Sequence, residues 1–223
     1  MIWLLEAAAS EAELQPLLPL LEEKRREKIE GFRVERSRVE SILAGLLLRY
    51  AWDQEYGGPM PSIEAAKRGK PVFSGESGPH FNLSHWSRRD TPDLSAKTVV
   101  ACAMSQQPVG VDVQGLHHYD GRLRRVLSKQ EIAWIEAGDR DERFTALWTR
   151  KEAYGKALGC GIGYQMEQTD FSGDFDMPTP YEGRLLWTVP RAGYFLSVCA
   201  GEALQLRTLR WPERNNARSG GSL

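Results

Sequence analysis

Glu152 and Lys156 are an acid and a base four residues apart, within Trp148-Thr149-Arg150-Lys151-Glu152-Ala153-Tyr154-Gly155-Lys156. About forty positions earlier, Gly110-Val111-Asp112-Val113-Gln114 sets a second acid and an amide among valines. Two carboxylates, an amide and an ammonium brought together can hold a divalent metal beside a phosphate. Hard cations take oxygen ligands, and magnesium sites usually combine one or two carboxylates with substrate phosphate oxygens. Taken singly, each feature also has an ordinary reading. Glu152 and Lys156 could be a simple i,i+4 pair worth about a few tenths of a kcal/mol, and Asp112 a strand-end acid facing solvent.

The elements that must position these groups are legible. Residues 148–158 have good helix formers and no proline, so Trp148, Glu152 and Lys156 share one helix face. Gly159 and Gly161 then stop the helix, since glycine tolerates left-handed angles. Val109, Val111 and Val113 alternate with Asp112 and Gln114, as in a strand whose two faces differ. If strand and helix pack together, the acids converge.

At this point the chain resembles the 4′-phosphopantetheinyl transferases, in particular the long, monomeric, surfactin-synthetase-activating type. Gly110-Val111-Asp112-Val113 followed by the Trp148–Lys156 segment carries the likeness. Phe81-Asn82-Leu83-Ser84-His85 and Arg68-Gly69-Lys70-Pro71 add to it, with Gly159 and Gly161, and more weakly Phe32-Arg33 and Leu46-Leu47-Leu48-Arg49. One such motif is weak; several in order at plausible spacing are strong.

The resemblance implies an α/β (α+β) fold of two similar subdomains related by a pseudo-twofold axis, with the active site at their interface. The expected division is 1–105 for coenzyme A nucleotide contacts, 106–214 for the metal site and carrier docking, and 215–223 as a disordered tail. It implies Mg²⁺-dependent transfer of 4′-phosphopantetheine from coenzyme A to a serine of an acyl or peptidyl carrier protein, releasing adenosine 3′,5′-bisphosphate. Asp112, Gln114 and Glu152 would be the metal set, with Glu152 and Lys156 catalytic. Gln114 replaces a carboxylate found in one form of the family, and it also reads as a surface glutamine. Lys70, Ser84, His85 and Lys156 would contact coenzyme A phosphates. Arg25, Lys28 and Ser41 are candidates for the 3′-phosphate and adenine end, although each also reads as part of a solvated helix face. Glu40 stands where many relatives have arginine or lysine.

Composition fits that reading without demanding it. The chain has 223 residues, 41% hydrophobic content and seven tryptophans, enough for a real core. A net charge of −1 gives no global bias towards nucleic acid or an anionic membrane, so any anion site must be local. Cys102, Cys160 and Cys199 lack metal-ligand spacing and read as reduced thiols of a cytoplasmic protein. No apolar run is long enough to span a bilayer.

Other features have plainer readings. Residues 10–30 read as helix, 37–52 as a buried helix, 80–84 and 98–104 as strands, and 86–97 as a polar loop. Ser128-Lys129-Gln130-Glu131 matches a capping box, and 183–210 holds strand-like runs. Arg122, Arg124 and Arg125 read as a solvated basic patch or, functionally, as a dock for an acidic carrier helix. His117-His118 with Asp120 reads as exposed loop, and Cys160 as inert. The alternative to an enzyme is an inactive coenzyme A-binding partner of the same fold, favoured only by Gln114 and Glu40. A stand-alone interaction module leaves the joint occurrence of Asp112, Glu152, Lys156 and Ser84-His85 unexplained.

Overall fold

Along the chain come β1 (Ile2–Ala7), α1 (Glu11–Leu14), α2 (Glu23–Glu30), α3 (Glu35–Glu55), β2 (Ile63–Ala65), β3 (Pro71–Phe73), β4 (His80–Ser87) and β5 (Thr98–Ser105). The second half holds β6 (Gly110–Gly115), α4 (Lys129–Glu136), α5 (Arg140–Leu158), β7 (Thr179–Tyr181), β8 (Arg184–Arg191), β9 (Tyr194–Ala200) and β10 (Leu206–Arg210). This computed structural model describes residues 1–66, 69–75, 78–88, 98–161, 166–175 and 178–211. Arg68, most of the 86–97 loop and the 215–223 tail lie outside the described residues.

The fold is mixed α/β in four layers. One sheet has the order β10-β1-β5-β4, antiparallel except for the parallel β1–β10 pair. The other is antiparallel, in the order β6-β9-β8-β7. Helix α3 covers the outer face of the first sheet, packing Ile42, Leu43 and Leu47 with Trp3, Val100, Cys102 and Met104. The inner faces meet through Ile2, Leu4, Val99 and Ala101 on one side and Val111, Val113, Leu196 and Val198 on the other. Helix α5 covers the outer face of the second sheet over Leu186 and Cys199. The central strands are therefore buried on both faces, which explains why β5 is apolar or small throughout rather than alternating.

Strands β4 and β6 are edge strands of different sheets, yet they meet. Asn82 Oδ1 accepts from Val111 N at 2.8 Å, and Ser84 Oγ accepts from Val113 N at 3.1 Å. Side chains thus stand in for a backbone ladder and satisfy an edge that would otherwise expose unpaired donors.

Several expectations change in detail. Residues 10–30 are not one helix: Pro16 and Pro19 force a 3₁₀ segment, Gln15–Leu20, between α1 and α2. Helix α5 begins at Arg140, well before Trp148, because Asp139 caps it by accepting from Asp141 N and Glu142 N at 3.1 and 3.0 Å. Strand β4 continues through Trp86 and Ser87. The Ser128–Glu131 capping box forms in both directions. Among the described residues, no helix is long and apolar enough to cross a membrane.

Candidate functional site

Strand β6 faces Asp112 and Gln114 towards α5, while Val111 and Val113 point into the core between the sheets. Gly110 makes the crossing of β6 and α5 tight. A Cβ at this position would lie 2.0 Å from Ala153 O and 2.5 Å from Ala157 N, so any side chain would push strand and helix apart. This close approach brings Lys156 to Asp112.

Lys156 Nζ donates to Asp112 Oδ1 at 2.6 Å, to Val111 O at 3.1 Å and to Ser84 Oγ at 3.2 Å. Ser84 Oγ itself donates to Asp112 Oδ1 at 2.9 Å. The Ser84 hydroxyl therefore orients the aspartate and ties β4 to it, a role the sequence did not indicate. Both partners crowd one carboxylate oxygen. The other, Asp112 Oδ2, is buried and has no hydrogen-bond partner.

Glu152 adds a second acid one turn before Lys156, half-buried. No hydrogen bond or ion pair to it is found among the described residues. Burial and the neighbouring Asp112 charge push its pKa up, with Lys156 partly opposing them. The orphaned Oδ2 and this crowded, unpartnered glutamate leave more negative charge than Lys156 offsets, so the residues fit a bound divalent cation. No cluster of three or more His, Cys, Asp and Glu side chains that could cage a metal is present among the described residues. The fit is thus to an ion that shares its shell with substrate oxygens or water. Gln114 lies on the same strand face, but its Oε1 is 3.1 Å from His117 Nε2.

The remaining sequence candidates fall in three places. Lys70 Nζ donates to Val109 O at 3.2 Å and to Lys156 O at 2.6 Å, and burial lowers its pKa. His85 is exposed on the α3 side of β4, with Nδ1 3.3 Å from Glu40 Oε2. Burial pushes Glu40 up, but hydrogen bonds from His85 and Ser87 outweigh it and hold its pKa low. Arg25 lies under α3, donating to Ser41 O at 3.3 Å, and Lys28 sits over the Phe32 ring at 5.9 Å. Arg25 and Lys28 are on α2 and Ser41 is on α3.

Other charged residues of the Trp148–Lys156 segment serve the packing. Lys151 is fully buried with Glu131, Nζ to Oε2 2.9 Å, and also donates to Met166 O and Thr169 Oγ1 at 2.6 and 2.7 Å. Burial pushes Glu131 up and Lys151 down, and each partly restores the other. Arg150 bonds Thr188 Oγ1 and Phe171 O at 2.7 and 2.5 Å beneath the helix. Cys102 and Cys199 are buried thiols with pKa values pushed up to about 12.

A cleft of about 430 Å³ is walled by His117, Tyr119, Leu123, Phe144 and Trp148. Trp148 is one turn before Glu152 on the same helix face. At its rim, Arg122 pairs with Asp120 and Arg124 with Glu136.

Comparison with known proteins bears on this region. Residues 108–193 match the model of the 4′-phosphopantetheinyl transferase superfamily. The chain is 31% identical over 158 residues to 4′-phosphopantetheinyl transferase psf-1 of Bacillus pumilus, covering 68% of this chain and 64% of that one. It is 30% identical over 128 residues to 4′-phosphopantetheinyl transferase gsp of Aneurinibacillus migulanus, covering 55% and 49%. The match to 4′-phosphopantetheinyl transferase ffp of Bacillus subtilis, 25% identical over 210 residues, covers 86% and 87%. The chain thus spans about half to two thirds of the first two relatives and most of the third. The superfamily match takes in the strand and the helix whose close crossing joins Asp112 to Lys156, so the similarity to the 4′-phosphopantetheinyl transferase superfamily falls on the candidate site itself.

Proposed function

We propose that the protein transfers 4′-phosphopantetheine from coenzyme A to a serine hydroxyl of an acyl or peptidyl carrier protein, releasing adenosine 3′,5′-bisphosphate. The observation that carries this reading is the Asp112–Lys156 pair beside Glu152, with one aspartate oxygen left buried and unpartnered. Asp112, through that oxygen, and Glu152 would hold Mg²⁺, with Gln114 beside them. The bound ion would offset charge developing on the leaving phosphate, the main requirement of phosphoryl transfer.

The chain's own groups supply the rest. The Lys156 ammonium is fixed by three acceptors and presents positive charge next to the pyrophosphate. Glu152, its pKa raised by burial and by Asp112, would take the proton of the attacking serine, directly or through a water on the ion. The serine oxygen bonds to phosphorus as the bond to the bisphosphate oxygen breaks, so the proton and the leaving group are both accounted for. The cleft beside Trp148 would receive the carrier segment bearing that serine, with Arg122 and Arg124 at its rim and Arg125 next in the chain. His85 lies on the coenzyme A side, and the two subdomains act as one monomeric, cytoplasmic unit.

The test incubates the chain with coenzyme A, Mg²⁺ and apo-carriers of fatty-acid, polyketide and peptide type, and reads intact mass. A gain of one phosphopantetheine, abolished by chelator, is expected. No gain on any carrier would reject the transferase reading and favour a coenzyme A-binding partner without turnover.

A further inference from the structure

Lys70 is the candidate whose placement departs most from what the resemblance implies. Its ammonium has three donors. Two are engaged on main-chain carbonyls, Lys156 O at 2.6 Å and Val109 O at 3.2 Å. Those carbonyls belong to the two segments that build the acid site. Lys156 lies in the last turn of α5, where its carbonyl accepts a 3.3 Å main-chain bond from Gly159 N and a further cation is favoured by the helix dipole. Val109 immediately precedes β6.

The contacts form a closed circuit. Lys70 joins the main chain of Lys156 to that of Val109. The Lys156 side chain returns from the helix to Val111 O and Asp112 Oδ1 on the same strand. Between them Gly110 lets the backbones touch, so the spacing is already at its minimum. Gly159 ends the helix in a left-handed turn at φ 69°, and the Lys70 side chain passes about 3.9 Å from where a Cβ would be. Lys70 comes from the chain just before β3, so the clamp is applied by the first half of the protein to an active-site crossing in the second.

We infer that Lys70 is a positioning residue, which fixes the last turn of α5 against β6 and so sets Lys156 on Asp112. Its kinetic consequence rests on the transferase reading; its structural consequence does not.

The experiment uses the full chain with Lys70→Met and Lys70→Arg. It measures coenzyme A binding by calorimetry, transfer kinetics, and amide hydrogen exchange. The readout amides are Gly159 and Cys160, which close the last turn on Gly155 O. Lys70→Met should speed their exchange several-fold, as expected of a locally loosened turn. It should lower kcat by about 10- to 100-fold, the scale of a small misplacement, while coenzyme A affinity stays within about twofold of the parent. Lys70→Arg, which keeps the donors, should restore both exchange and kcat.

A fall in coenzyme A affinity with exchange unchanged would overturn the inference and make Lys70 a phosphate contact. Unchanged exchange together with unchanged kcat would also overturn it. If Lys70→Met does not fold, Lys70→Arg decides: slow exchange and intact kcat support the clamp, whereas lost coenzyme A affinity with slow exchange rejects it. If the parent chain transfers nothing, the transferase reading fails, and faster or unchanged exchange in Lys70→Met alone supports or rejects the clamp.

Discussion

Helix α5 carries two lysine–carboxylate pairs five residues apart, and they behave differently. Lys151 and Glu131 are both fully buried, and every polar atom is matched: the ammonium has three acceptors, and the carboxylate also takes Ser128 N and Phe171 N. Lys156 and Asp112 are closer, at 2.6 Å, but one aspartate oxygen has no partner and a second acid stands beside it. A closed polar network holds elements together. An open one, retained despite the cost of an unpaired buried oxygen, is where a ligand fits.

The largest effect that would break this contrast is on stability. Lys151→Met leaves Glu131 buried without its cation and should cost about 3–5 kcal/mol. Replacing both partners by apolar residues should recover most of the loss. Urea denaturation at neutral pH measures it, and a loss below about 1 kcal/mol would mean the network is not closed. The open pair should show the reverse. Asp112→Asn is expected to stay folded and lose transfer activity by about 10²-fold or more, and near-normal turnover on a carrier would remove Asp112 from the site.

Ser84→Ala sharpens the comparison at its seam. It removes the hydroxyl shared by Asp112, Val113 N and Lys156, and should lower kcat more than coenzyme A affinity. If affinity falls instead, the serine meets the substrate directly. A smaller effect is expected at Glu40. Its pKa is lowered, so its contribution to stability is present above the ordinary value of 4.5 and lost as pH falls through the lower folded value. Glu40→Gln should therefore melt below the parent at pH 6–8, with the gap closing in acid; a gap constant with pH would refute the pairing with His85. The smallest change is expected at the rim. Reversing Arg122, Arg124 and Arg125 to Glu should slow carrier association at low salt only modestly, because Asp120 and Glu136 already pair with the first two.

The parts legible in the sequence are those fixed by local period. The valine alternation placed Asp112 and Gln114 on one face of β6, and i,i+4 spacing placed Glu152 beside Lys156. The Ser128 and Gly159 signals marked real helix ends. What the sequence did not show depends on partners far along the chain. Ser84 reaches Asp112 across 28 residues, and Lys70 reaches Lys156 across 86. Lys151 stands in the sequence only as part of the Trp148–Lys156 motif, and only the fold shows it sealed against Glu131. The broken helix at 10–30 was visible in Pro16 and Pro19, whose ring geometry outweighs the favourable residues around them.

The seam between β4 and β6 has a consequence for dissection of the molecule. Residues 108–193 hold Asp112, Glu152 and Lys156, but Asn82, Ser84 and Lys70 lie upstream of that stretch. Expressed alone, the excised piece would present β6 as a raw border with unquenched amides at Val111 and Val113, inviting strand-to-strand self-association. Its aspartate would lose the hydroxyl that turns it, and its helix the ammonium at its tail. Asp112, Glu152 and Lys156 lie in one half of the chain, and two of them are held by hydrogen bonds from Ser84 and Lys70 in the other.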